Sequence, residues 1–302
     1  MTETTPTPAH NFTTAEKISS LLESLRQKFF PRRILVAGPF VGEFGHELME
    51  WQSVIRARVP HYREVHVITY PGRDYLYHGC HVHYHDVRFD KAGYGHGRLS
   101  PHELKQRAHE TARRLGLENY DVLTSQHVCT RHHRRFIWRE QFIPFHEPPA
   151  GGQSRDLAFH FRHIHKAGPD TMKNYPTDMA DRLVELCRAS GYRVCCVGHP
   201  EHSYCPPATE DLRSVNLRDT VAAISSATAV VGENSGPMHL ANLCNKPTII
   251  WAAAQWRIDY SLRWNYFHVP IFVAANDTHL PSPERVKQTI DDALRQLRQN
   301  PH

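Results

Sequence analysis

The sequence has no continuous apolar run of about 18 residues, the length that a membrane-spanning helix needs. Its first 14 residues are polar and rich in Thr and Pro. They lack the apolar core of a secretory signal and are interpreted as a disordered tail. The seven cysteines are odd in number and form no C-x-x-C pair, which is typical of reduced core thiols. These absences predict a cytoplasmic protein, and they leave open a peripheral position at the inner membrane surface.

The composition is that of an ordinary globular protein with a modest positive charge. Hydrophobic residues make up 40% of the chain, and 36 Lys and Arg against 31 Asp and Glu give a net charge of +5. A positive balance favours an anionic partner. The candidate partners are the diphosphate of a nucleotide sugar, an acidic glycan or lipid head group, and nucleic acid. Because the basic residues are spread along the chain, charge alone does not choose among them.

Strand-like and helix-like segments alternate along the chain, which predicts an α/β fold with parallel, doubly wound sheets. The prolines and glycines of residues 144–154 predict a linker, with one domain over 15–150 and another over 151–302. The last helix, 282–299, is amphipathic and is expected to pack back on the N-terminal domain. A first helix is predicted at 17–29, and strands are predicted at 34–37, 65–69, 121–124, 157–161, 193–198, 228–231 and 248–251.

The most informative segment is Gly232–Ala241, between the last two of these strands. Ser235 can cap a helix, Gly236 lets a ligand approach the backbone, and Pro237 suits the first helical position. The helix is expected to stop at Asn245. Free backbone N–H groups and the helix dipole make such a start an anion site. An ordinary, well-capped strand-turn-helix explains the same residues, so the capping pattern does not decide between the two interpretations.

Residues 235–241 (Ser-Gly-Pro-Met-His-Leu-Ala) and 246–251 (Lys-Pro-Thr-Ile-Ile-Trp) resemble the donor-site signature of glycosyltransferase family 9, the lipopolysaccharide heptosyltransferase group. Lys173–Pro176 is similar to the Lys-x-Trp-Pro element of that family. The resemblance covers roughly residues 155–255. Asn234 departs from the pattern, since an acidic residue usually precedes the Ser or Thr. The resemblance implies a GT-B arrangement, two Rossmann-like domains facing a cleft.

The resemblance also implies where a nucleotide-sugar donor would bind. Glycosyl transfer needs a base for the acceptor hydroxyl and groups that stabilise the leaving diphosphate. In a GT-B cleft a helix N-terminus and basic side chains take the second role, so neither a metal nor another cofactor is predicted. Lys173 and Arg162 have ordinary alternatives, as a solvated loop lysine and as a strand-end arginine paired with a carboxylate. The predicted donor-binding residues are Arg162, Lys173, Asn234, Ser235, Gly236, Pro237, Met238 and His239.

The catalytic base is expected in the loop after the first strand of the N-terminal domain. The family carries a Gly-Asp pair there, whereas Gly45 is followed by His46 in this sequence. Three residues therefore compete, in the order Glu43, Glu47, His46. Glu43 lies in a glycine-bracketed loop, a setting that suits a catalytic carboxylate. Glu47 has an alternative role as a first-turn charge that complements the helix dipole, and His46 as a partly packed helix residue.

A histidine cluster raises the question of a metal site. His81, His83 and His85 share one face if the segment is extended, with His78 and Asp86 near by, and such a set could chelate a transition metal. The chain is rich in histidine elsewhere, with 24 in all. A polar edge, or a surface facing the acceptor, is therefore the preferred interpretation, and no metal ligand is predicted.

The basic run at residues 131–139 contains two aromatic residues, Phe136 and Trp138. A solvated helix face with both aromatics packed inward is the preferred interpretation. The alternative is a surface that follows the phosphates of an anionic acceptor, including DNA.

Taken with the resemblance, these residues predict an inverting glycosyltransferase that moves a hexosyl, pentosyl or heptosyl group from a nucleotide-diphosphate sugar to a hydroxyl. The acceptor is a cell-envelope glycan or lipid core, or a hydroxymethylated base in DNA. One alternative is a sugar-nucleotide epimerase or hydrolase on the same fold. The other is a non-catalytic module that binds a nucleotide sugar or nucleic acid, which the departure at Asn234 and the undecided base both favour.

Overall fold

The chain divides into two compact units, Met1–Phe142 and Ile143–His302. The computed structural model describes residue 18 and residues 33–87, 99–125, 141–148, 153–164, 174–207, 209–252, 255–274 and 280–300. The predicted tail, nearly all of the predicted first helix and the basic run 131–139 lie outside these residues. Within the described residues, no helix is both long enough and apolar enough to cross a membrane.

The N-terminal unit is built on a four-stranded parallel sheet in the order β3-β2-β1-β4. The helix after β1 is continuous but changes its winding, from a first turn to a π-helical segment and then to a regular α-helix. The strands are β1 (Ile34–Ala37), β2 (Glu64–Thr69), β3 (His81–Tyr84) and β4 (Tyr120–Leu123). The helical elements are α1 (Phe44–His46), the π-helix Glu47–Trp51, α2 (Gln52–Arg58), the 3₁₀ turns Val59–His61 and Asp74–Leu76, and α3 (Pro101–Arg114).

Gly38 fixes the path of the chain as it leaves β1. Its φ of +115° is a backbone conformation that side chains disfavour. A Cβ atom at this position would lie 2.5 Å from the carbonyl oxygen of Ile68. The N–H of Gly38 donates to the carbonyl oxygen of Leu123 at 2.8 Å, so the turn is anchored to β4. The loop that carries Glu43 therefore starts from a tightly held point at the carboxyl end of the sheet.

The C-terminal unit is built on a seven-stranded sheet with the order β11-β10-β9-β5-β6-β8, in which β7 pairs antiparallel with β5 and the other pairings are parallel. The strands are β5 (Arg155–Arg162), β6 (Val194–Cys196), β7 (Ser203–Tyr204), β8 (Glu210–Asp211), β9 (Ala227–Glu233), β10 (Thr248–Trp251) and β11 (Ile271–Val273). The helices are α4 (Thr177–Ala189), α5 (Leu217–Ser225), α6 (Gly236–Leu243), α7 (Gln255–Arg263) and α8 (Pro283–Gln299).

Aromatic side chains fill the core of the C-terminal unit. Phe159 and Phe161 stack with ring centroids 5.2 Å apart, and Tyr175 packs against Trp251 at 4.8 Å. The hydroxyl of Tyr175 donates to the carbonyl oxygen of Pro281 at 2.9 Å, which satisfies a polar group that is otherwise buried. The aromatic cluster thus ties the segment before α4 to the segment before α8.

The boundary between the units lies ahead of the predicted linker. Phe145 is buried, and its N–H donates to the carbonyl oxygen of Leu243 at 2.7 Å. Glu147 pairs with Arg218 at 3.5 Å. The described part of residues 144–154 is therefore packed on the C-terminal unit, because an apolar side chain in the Pro-rich segment finds a place there.

The last helix, α8, packs against the core of the C-terminal unit. Val286, Ile290 and Leu294 lie along one face of α8 and belong to the core of the C-terminal unit. The prediction had placed this face against the N-terminal domain. An amphipathic pattern reveals that a face is buried but does not reveal which partner covers it.

We expect Ile290→Ala to lower the free energy of unfolding of the C-terminal unit by about 2–5 kcal/mol, because Ile290 is fully buried and the substitution leaves a cavity. The matched control is Gln296→Ala on the exposed face of the same helix, which should change it by less than about 0.5 kcal/mol. Denaturant unfolding measures both. Equal stabilities for the two variants would contradict the packing described for α8.

Candidate functional site

The strand order of the C-terminal sheet creates a topological switch point between β5 and β9. From β5 the chain moves to β6 and β8 on one side, then crosses to β9, β10 and β11 on the other. In open parallel sheets, ligands bind at the carboxyl ends of the two strands at such a point, where the outgoing connections diverge. Here β9 ends at Glu233, and α6 begins at Gly236 after a short turn.

Ser235 is the N-cap residue of α6, but its side chain makes no capping hydrogen bond. Its hydroxyl instead lies 3.1 Å from Nδ1 of His160 on β5. Ser235 therefore has the predicted N-cap position, but its side chain does not cap the helix, because His160 of β5 competes for the hydroxyl. The same arrangement leaves the start of α6 without a side-chain cap, as an anion-binding helix start requires.

His160 is a neutral imidazole in this setting. Burial and, to a smaller extent, the neighbouring positive charge of Arg162 together lower the pKa of His160 to about 3. The contact between His160 and Ser235 is thus a hydrogen bond between uncharged groups. The sequence analysis missed His160, since nothing local marks a histidine in a strand as the partner of a helix start.

Two glycines, Gly198 and Gly232, leave the space that His160 occupies. A Cβ atom on Gly232 would lie 2.8 Å from the carbonyl oxygen of His160 and 3.0 Å from the sulfur of Met238. A Cβ atom on Gly198, where φ is +121°, would lie 2.7 Å from Cδ2 of the His160 ring. Both positions are therefore closed to larger residues, because a side chain at either glycine would collide with His160.

The predicted donor-binding residues from Ser235 to His239 separate into two groups. Ser235, Gly236 and Pro237 are half-buried at the first turn of α6. Met238 is buried, and His239 is buried with its ring edge-on to Trp264 at 4.7 Å. Only the first group offers atoms to a ligand at the helix start, because the side chains of the second face inward.

Asn234 anchors a neighbouring helix. Its amide nitrogen donates to the carbonyl oxygen of Arg257 at 2.6 Å and also to the hydroxyl of Ser261, both on α7. Glu233, one residue earlier, is buried and accepts a hydrogen bond from Arg257 at 3.2 Å. The chain therefore does have an acidic residue in this turn, in an ion pair that fixes α7 beside the start of α6.

Basic and histidine side chains gather at the same end of the sheet. Arg162 ends β5, and the N–H of His163 donates to the carbonyl oxygen of His202 at 2.9 Å. The rings of His199 and His202 stack at 5.0 Å in the loop after β6. The sequence analysis did not place these two histidines near the site. Lys173 lies outside the described residues, so its predicted role stays a prediction.

In the N-terminal unit, Glu47 is fully buried, and its carboxylate accepts hydrogen bonds from three side chains. The hydroxyl of Tyr77 donates to its carboxylate at 2.7 Å, and Thr69 and Arg73 donate as well. A carboxylate that is enclosed and paired in this way holds its neighbours together. The prediction considered Glu47 as a base or as a first-turn charge; the geometry instead makes it the anchor of the loop that follows β2.

His46 forms a pair that the sequence analysis did not consider. Its Nδ1 lies 2.8 Å from a carboxylate oxygen of Glu50, one turn later, and Glu50 is almost completely buried. The spacing of four residues between His46 and Glu50 was the sequence signal that could have revealed this pair. A carboxylate that holds one ring nitrogen orients the imidazole and leaves the other nitrogen, Nε2, directed elsewhere.

Glu43 lies half-buried at the first turn of the same helix. It occupies the N-cap position, where its carbonyl oxygen accepts from the N–H of Glu47 at 3.1 Å. Its carboxylate makes no capping hydrogen bond. Among the three predicted bases, Glu43 and His46 are therefore partly accessible and Glu47 is not.

The histidine cluster differs from its prediction. His81 and His83 lie on β3, but β3 ends at Tyr84. His85 turns away, and its Nε2 donates to the carbonyl oxygen of Phe40 at 2.8 Å. The companion of His81 and His83 is His66 on the adjacent strand, which periodicity within one segment cannot reveal.

The family model of "Glycosyltransferase family 9 (heptosyltransferase)" matches residues 160–251. This range runs from His160 through the start of α6 to the end of β10. No curated protein matches the chain at a significant level.

Solved structures resemble the chain over most of its length. The ADP-heptose lipopolysaccharide heptosyltransferase II of E. coli is 14% identical with a TM-score of 0.57, covering 88% of this chain and 99% of its own. A family 9 glycosyltransferase from Veillonella parvula is 12% identical with a TM-score of 0.55, covering 88% and 98%. The E. coli heptosyltransferase WaaC, with ADP-2-deoxy-2-fluoro heptose, is 14% identical with a TM-score of 0.53, covering 86% and 99%.

At these identities the likeness establishes the fold, and the family match is confined to the C-terminal unit. The predicted α/β class with two parallel-sheet units of the GT-B type is confirmed. The fold and the match to residues 160–251 together support glycosyltransferase activity, and the chain resembles glycosyltransferase family 9 in the segment that carries the switch point.

Proposed function

We propose that this protein is an inverting glycosyltransferase that uses a nucleotide-diphosphate sugar. The observation that carries the proposal is the start of α6, which lies uncapped at the switch point between β5 and β9. An anion placed there meets the backbone N–H of Gly236 and the positive end of the helix dipole. Pro237 has no N–H, and the N–H groups of Met238 and His239 donate to the carbonyl oxygen of Ser235. The family match over the same residues agrees with this use.

The donor diphosphate would bind along the first turn of α6. Gly236 has no side chain to block approach to its backbone, and the hydroxyl of Ser235 is held at the same point by His160. As the bond to the sugar breaks, negative charge grows on the diphosphate, so fixed dipoles and cations stabilise the transition state more than the ground state. Arg162 and Lys173 are the proposed cations.

The acceptor hydroxyl would lose its proton to Glu43. The acceptor oxygen then attacks the anomeric carbon of the donor sugar on the face opposite the departing diphosphate. This single displacement inverts the configuration at that carbon. A half-buried carboxylate in the loop after β1 suits the role because part of its surface is accessible to a substrate. The pair of His46 and Glu50 is the alternative base, since a carboxylate-oriented imidazole is a common catalytic arrangement.

The acceptor is proposed as a cell-envelope glycan or lipid core, or alternatively a hydroxymethylated base in DNA. Among the similar structures, one is named for ADP-heptose and another holds an ADP-heptose analogue. ADP-sugars are therefore the first donors to test. Six described cysteines are free thiols, which agrees with the proposed cytoplasmic location.

We expect Gly236→Val to abolish the thermal stabilisation that ADP, GDP or UDP gives to the wild-type protein. A ligand at 100 times its Kd stabilises the folded state by about 2.7 kcal/mol. The valine side chain would occupy the place of the diphosphate, so this shift should vanish. Differential scanning fluorimetry with each nucleotide measures it.

The matched control is Thr228→Val, an exposed position at the opposite end of β9. Its shift with nucleotide should equal that of the wild type, and both variants should keep their melting temperature without ligand. An unchanged nucleotide shift in a folded Gly236→Val protein would refute the donor site.

We expect Glu43→Gln to reduce turnover by about 10²–10⁴-fold while nucleotide binding persists, because a positioned base contributes that much to the rate. Turnover is measured as release of nucleoside diphosphate, with an envelope glycan preparation and hydroxymethylated DNA offered in parallel. Product analysis also separates transfer from epimerisation and hydrolysis, since neither alternative needs an acceptor.

His46→Gln and Glu47→Gln are the companion variants. Glu47→Gln should lower stability, because it leaves Arg73 beside a neutral amide in a buried network. A large loss of turnover in His46→Gln together with normal turnover in Glu43→Gln would move the base to the His46–Glu50 pair. Normal turnover in both would exclude Glu43 and His46 as the base, and absence of turnover in the wild type with every acceptor would favour a binding module.

Transfer should survive exhaustive chelation, because the helix start and basic side chains take the place of a cation at the diphosphate. The measurement compares initial rates after dialysis against a chelator with rates after readdition of magnesium or manganese. Rates that fall with chelation and return with either ion would contradict this part of the proposal.

A further inference from the structure

The edge strand β3 and its neighbour β2 bring four ionisable side chains of the N-terminal sheet together. His66 on β2 is directly opposite His81 on β3, and Glu64 lies two residues before His66 on the same face of β2. Glu64, His66 and His81 each offer a ligand atom, and these atoms all lie within 4.8 Å of one another. The rings of His66 and His81 stack with centroids 4.8 Å apart.

His83 determines which nitrogen of His66 faces this group. Its Nε2 lies 3.0 Å from Nδ1 of His66, so a hydrogen bond occupies that side of the ring. Nε2 of His66 then points toward Glu64, 3.5 Å from its carboxylate oxygen. Metal-bound histidines have this arrangement, in which a second group holds the far nitrogen and orients the ring.

The donor atoms suit a borderline transition metal. Two imidazoles and one carboxylate form a ligand set found in zinc proteins, with zinc–ligand distances of about 2.0–2.2 Å that place tetrahedral ligands about 3.3 Å apart. Closing from the present spacing requires only small movements, and His81 is exposed and can rotate. Nitrogen ligands argue against magnesium or calcium, which prefer oxygen.

We propose that Glu64, His66 and His81 bind a divalent transition-metal ion of the zinc class, with His83 as a positioning residue. The ion would join β2 to the edge strand β3, whose own burial is slight. Solvent would fill the fourth position. The inference does not rest on the proposed glycosyl transfer, which uses other residues, Glu43 and the start of α6.

A second group, His199, Glu201 and His202, serves as an internal comparison. Its residues belong to a single loop and are half-buried or exposed. Its ligand atoms also lie within 4.8 Å of one another, so the experiment must distinguish it from the sheet cluster.

The test is a titration of the full-length protein with cobalt(II), which replaces zinc and gives visible absorption bands that report its ligands. We expect one equivalent to bind in a site of low coordination number and zinc to displace it. His83→Ala should weaken binding by about 10–100-fold, as loss of an orienting partner does. His81→Ala should weaken it more, and His202→Ala should leave it unchanged.

His81→Cys gives the decisive signal. A thiolate at this position should bind cobalt directly and add a sulfur-to-cobalt charge-transfer band that is absent from the wild type. Absence of the band in a folded His81→Cys protein would overturn the proposal. So would a lack of cobalt bands in the wild type, or binding that His202→Ala removes and His81→Ala retains.

Discussion

The close approach of β5 and β9 at His160 and Gly232 constrains both the sheet and the helix start of the C-terminal unit. Because Gly232 has no side chain, the backbone of β5 and the sulfur of Met238 can both come near it. His160 is then enclosed, neutral and directed at the Ser235 hydroxyl. Protonation of this ring would place a buried cation next to Arg162. Sheet packing and the start of α6 therefore depend on the same uncharged side chain.

A different principle organises the N-terminal unit. There a buried carboxylate, Glu47, collects donors from β2 and from the segment that follows it. A buried charge is costly unless it is paired, so the contacts of Glu47 with Tyr77 and Arg73 hold the segment after β2 against the helix. Gly38 fixes the loop that bears Glu43 at its start, and the Glu47 network fixes it at its end. The proposed base therefore has a defined position.

The sequence predicted the features that depend on local signals. Strand–helix alternation indicated the parallel sheets, and Gly236, Pro237 and Asn245 marked the limits of α6, which ends at Leu243 with Asn245 at a positive φ. Periodicity could not identify partners distant in the chain. His160 lies 75 residues before Ser235, and its role depends on strand order. The amide of Asn234 binds α7, a helix that the sequence analysis did not predict.

The register of neighbouring strands was equally inaccessible. His81 and His83 were visible as an alternating pair, but their contact with His66 requires knowing that β2 and β3 are parallel and which residues face each other. The short strands β7 and β8 carry too few residues to show a period of two. Side-chain chemistry at the site therefore followed from tertiary pairing more than from composition.

The π-helix Glu47–Trp51 is equivalent to one extra residue in an α-helix. Each residue turns an α-helix by about 100°, so the insertion rotates everything before it relative to α2. Deletion of one residue in this segment would restore regular winding, which intrinsic helix energetics favour. It would also swing Glu47 out of reach of Tyr77 and redirect His46 and Glu43. The π-helical segment thus acts as a one-residue insertion. It lets the C-terminal half of the helix pack on the unit while the N-terminal half presents its side chains in a different direction.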